Sequence, residues 1–513
     1  MDIDLTDKLH KSLDMLIDKH KTNEYVFGRL VNYIENLLPV ALATATEVNK
    51  QREARRTLLS ANQEEFTTRF LQKNHYFYSP PTELFLHYDG FHFVIRNEED
   101  IYHQILSTIT AEKCLREWRH KVNKNIIKRI KERSPLTVIP ESITIQFVLN
   151  TLCPSIFKTR NHAKYFLSIV GECLFKKKQW DLMEHPTSTP TASSTGELIY
   201  IFPPRLKDLM REINNQCYTI FGLPNIFTNI KFKYYDHNYN QCRLISIAQK
   251  KIEIPPMLIK HMLDFLCVAA HYHLRYGSSD KFLQQCIDYK LVEHALFLSK
   301  NTPESIVNIF TEKSLTVSTT SIDTKNMLFI WKKFLDERNI PNIIFYETLK
   351  QILKKKLPYN ETKDAFAGLT SIHLPNVSLF MRFWEETIDT DVNDWELEID
   401  EICVLFKHWT NNTKTINEGL VLELIQHFYP ETVIENNKYI LHTSCKLWDK
   451  YNEVVNSIKL CKTHYTQTME AIEEPYAFYS SQCKNKYNLL VSKRYFEKVA
   501  ADNSANELDL VFQ

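Results

Sequence analysis

Glycine is scarce in this chain, with 8 among 513 residues. Phosphate-cradling loops and the strand-to-helix turns of doubly wound sheets depend on glycine backbones, so both are disfavoured. None of the eight is followed by lysine. That removes the G-x-x-x-x-G-K-[ST] loop and the ATPase chemistry built on its backbone cradle. H-E-x-x-H and G-x-S-x-G are missing too, so neither a zinc protease nor an esterase nucleophile is expected. The eleven cysteines contain no C-x-x-C pair. An odd, unclustered set points to reduced thiols in a cytosolic setting rather than to a disulfide framework or a zinc module. No window of 18 apolar residues exists, and the opening MDIDLTDKLHKSLDML has no apolar core for a signal peptide, so no membrane association is expected. Charge is nearly balanced, 63 Lys and Arg against 62 Asp and Glu, so any nucleic-acid surface must be a local patch. No cofactor motif is found, and no enzyme activity is expected.

What the chain does have is helical periodicity and abundant aromatics, 12% of residues. The stretch Met327–Leu357 holds two apolar-faced helical patterns. The first carries Phe329, Ile330, Trp331, Phe334 and Leu335; the second carries Phe345, Leu349, Ile352 and Leu353 and ends in Lys354, Lys355 and Lys356. Asn339-Ile340-Pro341-Asn342 between them is turn chemistry. Shifted by 75 residues, Ile330, Trp331 and Phe334 fall on Leu405, Phe406 and Trp409, and Phe345, Leu349 and Leu353 fall on Leu420, Leu424 and Phe428. Each helix pair is followed by a short hairpin pattern, Tyr359–Thr370 and Thr432–Leu441, the latter across Asn436-Asn437. Helix, turn, helix, hairpin is a winged-helix layout. A looser third copy is placed at Tyr476–Tyr479 and Leu489–Val499, with Ser492 as a helix cap.

Along the rest of the chain, Leu9, Leu13, Leu16 and Ile17, then Val26, Leu30, Ile34 and Leu38, give helical stripes, and Glu47–Arg56 is a charged connection or, the favoured reading, a solvated helix face. Leu84–Tyr88 and Phe91–Ile95 flank Asp89-Gly90 and predict a hairpin with a type I′ turn, with Asn97 capping the next helix. Glu184–Gly196, EHPTSTPTASSTG, reads as a flexible linker. A helix opens at Pro255-Pro256 and ends at Gly277, and Thr316–Thr324 reads as a polar linker. The expected fold class is mainly α (α+β): a multidomain helical protein with small β-hairpins and tandem winged-helix-like units. The expected divisions are 1–60 helical, 61–182 hairpin plus basic helix, 183–196 linker, 197–315 helical middle, 325–394 and 395–450 winged-helix-like, and 451–513 helical with a tail.

The strongest basic cluster lies in residues 111–133, with nine Lys and Arg against three Glu. Val122, Ile126, Ile127 and Ile130 form its apolar side. Lys121, Lys124, Lys128 and Lys131 recur on the other, with Arg116 and Trp118 just before them. Such a row either solubilises a helix face or tracks phosphates, with Trp118 adding a stacking surface. Phe232–Tyr239, FKYYDHNY, has the alternation of a base-stacking segment or a half-buried strand. His271 and His273, with His261 upstream, are the densest histidine group. Residues two apart on a helix point away from each other, so no metal site is expected. Asp389-Thr390-Asp391 reads as a solvated acidic loop rather than a polymerase-type metal site.

The run LFLHYDGFHFVIRNEEDIYHQIL (Leu84–Leu106) resembles the region preceding the ATPase in primase-helicases of nucleocytoplasmic large DNA viruses, as does HAKYFLSIVGECL (His162–Leu174). FIWKKF, VLFKHW and AFYSSQ, each opening a helix pair, are similar to the C-terminal winged-helix segment of the same family. The chain departs from that family in having no Walker A loop and no primase domain. The resemblance implies a catalytically silent relative of giant-virus type that kept binding modules, acting in the host cytoplasm or viral factory. The expected role is that of a non-enzymatic nucleic-acid-binding accessory protein of viral replication or gene expression. Lys121, Lys124, Lys128, Lys131, Arg116, Trp118 and Lys354–Lys356 would form its surface. The alternative is a protein–protein scaffold subunit, such as a virion component or a translation-factor-like subunit.

Overall fold

Apolar residues spaced three and four apart bury best as helices, and helices carry most of this chain. The computed structural model describes residues 3–112, 115–182, 197–235, 237–248, 253–390, 395–468, 475–482 and 485–509. The expected linker 183–196 lies outside the described residues, as does Asp391. The chain divides into two units, one of residues 1–232 and 240–299, the other of residues 233–239 and 300–513.

The first unit is built on the helix Met262–Tyr276. Its apolar residues run all round the axis, and every residue from Met262 to Ala270 is buried. The helix Arg160–Leu182 packs along it. At Gly171 the two backbones come so close that a Cβ would lie 2.2 Å from the Ala269 carbonyl oxygen. The same core takes in Phe77, Leu86, Leu149, Tyr200, Ile213 and Ala295. Residues expected to fall in two domains, 61–182 and 197–315, therefore share one interior. A parallel three-stranded sheet, with Ile199–Ile201 between Ile230–Lys231 and Cys242–Leu244, belongs to it.

The hairpin forms, with differences. Leu84–Tyr88 pairs antiparallel with Phe93–Arg96, Tyr88 opposite Phe93, and His75–Ser79 adds a third strand on the other edge of Leu84–Tyr88. The connection is the four residues Asp89–His92 rather than a type I′ turn. Only Gly90 takes positive φ, and Asp89 Oδ1 accepts the Phe91 and His92 N–H groups at 2.7 Å. Asn97 occupies the N-cap of Glu98–Thr110 without a side-chain capping bond. Of the two readings of Glu47–Arg56, the solvated helix face holds. It is a fully exposed part of the continuous helix Leu38–Lys73, which crosses the boundary expected at residue 60. The helix opened by Pro255-Pro256 breaks at His261 into Pro256–Lys260 and Met262–Tyr276.

The second unit contains the repeat. Thr316–Asp323, expected as a polar linker, is a strand paired with Ala365–Thr370; its β-branched residues favour the pleat, but its exposure leaves no apolar alternation to read. The first copy therefore runs helix Pro303–Ser314, strand Thr316–Asp323, helices Thr324–Glu337 and Tyr346–Lys356, and strands Tyr359–Asn360 and Ala365–Thr370. The second runs helix Leu374–Thr387, strand Glu396–Glu398, helices Ile399–Trp409 and Glu418–Phe428, and strands Ile434–Glu435 and Tyr439–Leu441. In both, the last strand lies between the other two. This is the order expected of winged-helix-like units. The 75-residue offset holds for the N-caps Asp323 and Glu398 and for the first wing strands. The second helices, whose N-caps are Phe345 and Asn417, match at an offset of 72, so Leu349, Ile352 and Leu353 correspond to Val421, Leu424 and Ile425. Phe345 is exposed rather than part of the apolar face. The third copy does not form a unit of its own. Tyr479, Val491, Tyr495, Phe496 and Val499 pack into the core of the second copy, and no hairpin accompanies them among the described residues.

Inside this second core sits an ion pair. Lys450 Nζ lies 2.8 Å from Glu401 Oε1 and 4.3 Å from the Tyr495 ring centroid, with both charged side chains buried. Burial, offset in part by Lys450, pushes the Glu401 carboxyl up to about 7. Two stability predictions follow from these contacts. Gly171→Ala should cost about 1–3 kcal/mol, because the backbone of Ala269 must move aside. Lys450→Met should cost about 3–5 kcal/mol by leaving Glu401 buried without its cation. Urea denaturation curves of each variant against the unsubstituted chain check both.

Candidate nucleic-acid interface

The basic cluster folds as the helix Arg119–Lys131, following a short 3-10 turn at Arg116–Trp118. Its inner side is fixed by burial of Val122, Ile126, Ile127 and Ile130 against Phe66, Phe70, Phe85, Ile101 and Ile105. That anchoring turns Lys121, Lys124, Lys128 and Lys131 outward, and all four are exposed. The rise of a helix spaces the first and last by about 15 Å. None of the four forms an ion pair among the described residues, whereas Arg129 on the flank is held by both oxygens of Glu64 at 2.7 and 2.8 Å. Trp118 is 41% exposed, with Lys121 Nζ 5.5 Å from its ring. Lys131 Nζ rests 5.2 Å from the Tyr78 ring and 5.5 Å from that of Phe85. Arg116 is exposed, its guanidinium 3.4 Å from the Thr110 carbonyl oxygen. Beside the row, a shallow cleft of about 430 Å³ is lined by Lys124, Lys128, Lys131, Asn123, Glu98 and Glu132. The structure thus gathers six of the nine expected residues along one short segment.

The other three are differently placed. Lys354 Nζ is 2.9 Å from Glu361 and 4.0 Å from the Tyr359 ring, and Lys356 bonds Asn308 and the Glu304 carbonyl oxygen. Lys350, on the same helix, pairs with Asp364 at 2.9 Å. The wing carboxylates Glu361 and Asp364 therefore neutralise Lys354 and Lys350, whereas Lys356 is held by neutral oxygens and Lys355 is exposed. The equivalent helix of the second copy, Glu418–Phe428, has no Lys or Arg and is met by the first copy: Lys333 pairs with Glu423, Lys325 Nζ bonds the Phe428 carbonyl oxygen at 2.8 Å, and Phe329 stacks near Phe428.

The remaining sequence candidates disperse. In Phe232–Tyr239, Tyr234 is buried, Tyr235 is exposed and the Tyr239 hydroxyl bonds the Ile343 carbonyl oxygen; Asp236 lies outside the described residues. Asp389 is in a short strand and pairs with Lys446 at 3.0 Å. His273 stacks on Phe175 and stands apart from His261. His261 instead meets two residues that were not singled out. Asp264, with its side chain 0% exposed, has Oδ2 at 2.6 Å from His92 Nδ1 and 3.5 Å from His261 Nδ1. Its Oδ1 accepts the Phe93 N–H at 2.6 Å. Burial raises the Asp264 carboxyl above its usual range, against the hydrogen bonds from Phe93 and His92. Burial, with the neighbouring His92, lowers the His261 imidazole. The i, i+3 spacing of His261 and Asp264 was the one local signal; His92 is 172 residues from Asp264 in sequence.

In comparisons with known proteins, no family model, no curated protein and no solved structure matches this chain. Among the described residues, no helix is long and apolar enough to cross a membrane.

Proposed function

We propose that this protein is a non-enzymatic nucleic-acid-binding accessory factor, working in viral replication or gene expression in the host cytoplasm or viral factory. The observation that carries the binding surface is the row of exposed, unpaired lysines at Lys121, Lys124, Lys128 and Lys131, with Arg116 and the half-open Trp118 at its head. A carboxylate partner would cancel such charges; here the free cations are available to phosphates, and Trp118 offers an aromatic face to a base. The viral setting rests on the sequence resemblance of Leu84–Leu106, His162–Leu174 and the three helix-opening segments, and the first copy's second helix contributes less, since Lys350, Lys354 and Lys356 already have partners. Binding to labelled single-stranded DNA, duplex DNA and RNA across a salt series checks the proposal. Four phosphate contacts give a log–log slope of roughly −3 to −4. The combined Lys121, Lys124, Lys128 and Lys131→Glu variant should lose binding, whereas Lys354→Gln with Lys356→Gln should retain it. Absence of binding at low salt to all three ligands rejects the reading.

A second reading, a protein–protein scaffold subunit, is favoured by the first 60 residues. The helices there expose Leu9, Met15, Tyr25, Tyr33, Val40 and Leu42, and Glu24–Asn32 has no buried residue. Apolar area of this kind is costly to leave in water. If it is a protein-contact face, replacing Leu9, Met15, Val40 and Leu42 with Ser should reduce the mass measured by light scattering or abolish partner capture, while leaving nucleic-acid binding intact. An unchanged mass with unchanged captured partners excludes the scaffold role for this face.

A further inference from the structure

We propose that His92, His261 and Asp264 form a binding site for a divalent first-row transition-metal ion of the Zn²⁺ type. The three come from separate places. His92 ends the hairpin connection, His261 is the break between two helices, and Asp264 lies in the first turn of the central helix. The fold nevertheless brings one ligand atom of each to within 4.8 Å of the others.

Donor chemistry narrows the ion. Two imidazole nitrogens and one carboxylate oxygen suit zinc and its neighbours, whereas calcium and magnesium sites are built from oxygens. Ligand bonds near 2.0–2.1 Å in tetrahedral geometry place ligand atoms roughly 3.3–3.5 Å apart. The separation of Asp264 Oδ2 from His261 Nδ1, 3.5 Å, already has that value. The separation from His92 Nδ1, 2.6 Å, is a hydrogen bond whose proton the metal replaces, and it widens by roughly 0.8 Å through rotation of the half-open His92 ring.

The surroundings are prepared in a way a solvated histidine cluster is not. Oδ1 of Asp264 is occupied by the Phe93 N–H, which orients Oδ2 toward the two rings and makes the carboxylate a single-oxygen ligand. Asp89 accepts the Phe91 and His92 N–H groups and fixes the backbone that presents His92. The half-buried Phe147 ring stands edge-on to both imidazoles, 5.0 Å from His92 and 5.2 Å from His261, and forms an apolar wall beside them. A carboxylate with no exposed surface needs a cation close by, and a divalent ion between two neutral imidazoles meets that need. The side chains of His92 and His261 keep 31% and 14% of their exposure, so ions reach the site from solvent and a water completes the coordination. Bound there, the ion ties the hairpin to the central helix.

The full-length protein, stripped with a chelator and dialysed, is titrated with Zn²⁺ by competition against a chromophoric chelator, and in parallel with Co²⁺ followed by its visible absorption. The expected result is one equivalent per chain, a Co²⁺ spectrum of nitrogen-containing four- or five-coordination, and a higher thermal midpoint with metal than with chelator. His92→Ala and His261→Ala should each weaken binding by more than about tenfold, while His271→Ala leaves it unchanged. The histidine variants are compared in chelator by circular dichroism, so that loss of fold is told from loss of ligand. No stoichiometric binding by the unsubstituted chain, a Co²⁺ spectrum of oxygen ligands only, or undiminished binding in the His92→Ala/His261→Ala double variant overturns the proposal.

Discussion

The first unit depends on the contact between the helices Arg160–Leu182 and Met262–Tyr276. Gly171 lets the backbones meet at Ala269, and that closeness brings Phe166, Phe265 and their neighbours into one buried cluster. The strands of this unit are only two to five residues long. Short strands have little stability alone, so they owe their order to the helices they lie against. The parallel strands at Ile199–Ile201, Ile230–Lys231 and Cys242–Leu244 are held mainly by burial of Tyr200, Ile201 and Leu244 rather than by their few ladder bonds.

Much of this was legible. Helical spacing announced the buried faces of Thr324–Glu337 and Ile399–Trp409, and Asn436-Asn437 announced a wing turn in which both residues take positive φ. What escaped had physical reasons. Thr316–Asp323 is a strand on a mostly exposed edge, so burial left no alternation in its sequence. The second helix of the repeat slipped by three residues in the reading, because a shift of nearly one helical turn keeps the same face apolar. Asp89-Gly90 suggested a two-residue turn, but the Asp89 side chain stabilises a longer one. His92, His261 and Asp264 could not be grouped from sequence, since their proximity is made by tertiary packing.

Lysine shows how context separates residues of one type. On the basic helix, the apolar anchors Val122, Ile126 and Ile130 leave Lys121, Lys124 and Lys128 facing water without an ion pair among the described residues. Lys350 and Lys354 have wing carboxylates in reach, and Lys450 is enclosed with Glu401. A run of lysines in sequence therefore announces charge, while pairing decides whether the charge remains available. Of the two basic segments expected to bind nucleic acid, the one with the lysine triplet, Lys354–Lys356, is the more fully used inside its own unit.

The seating of Phe329, Lys325 and Lys333 on the helix Glu418–Phe428 bears on how the tandem units gain and lose structure. Phe329 belongs to the first copy by sequence and to the second copy's core by packing. The second copy's interior is completed by a residue of the first, so the two copies are joined through packing as well as through the chain. Such packing couples the order of one copy to that of the other, so the repeat reads as one enlarged domain rather than two separable ones.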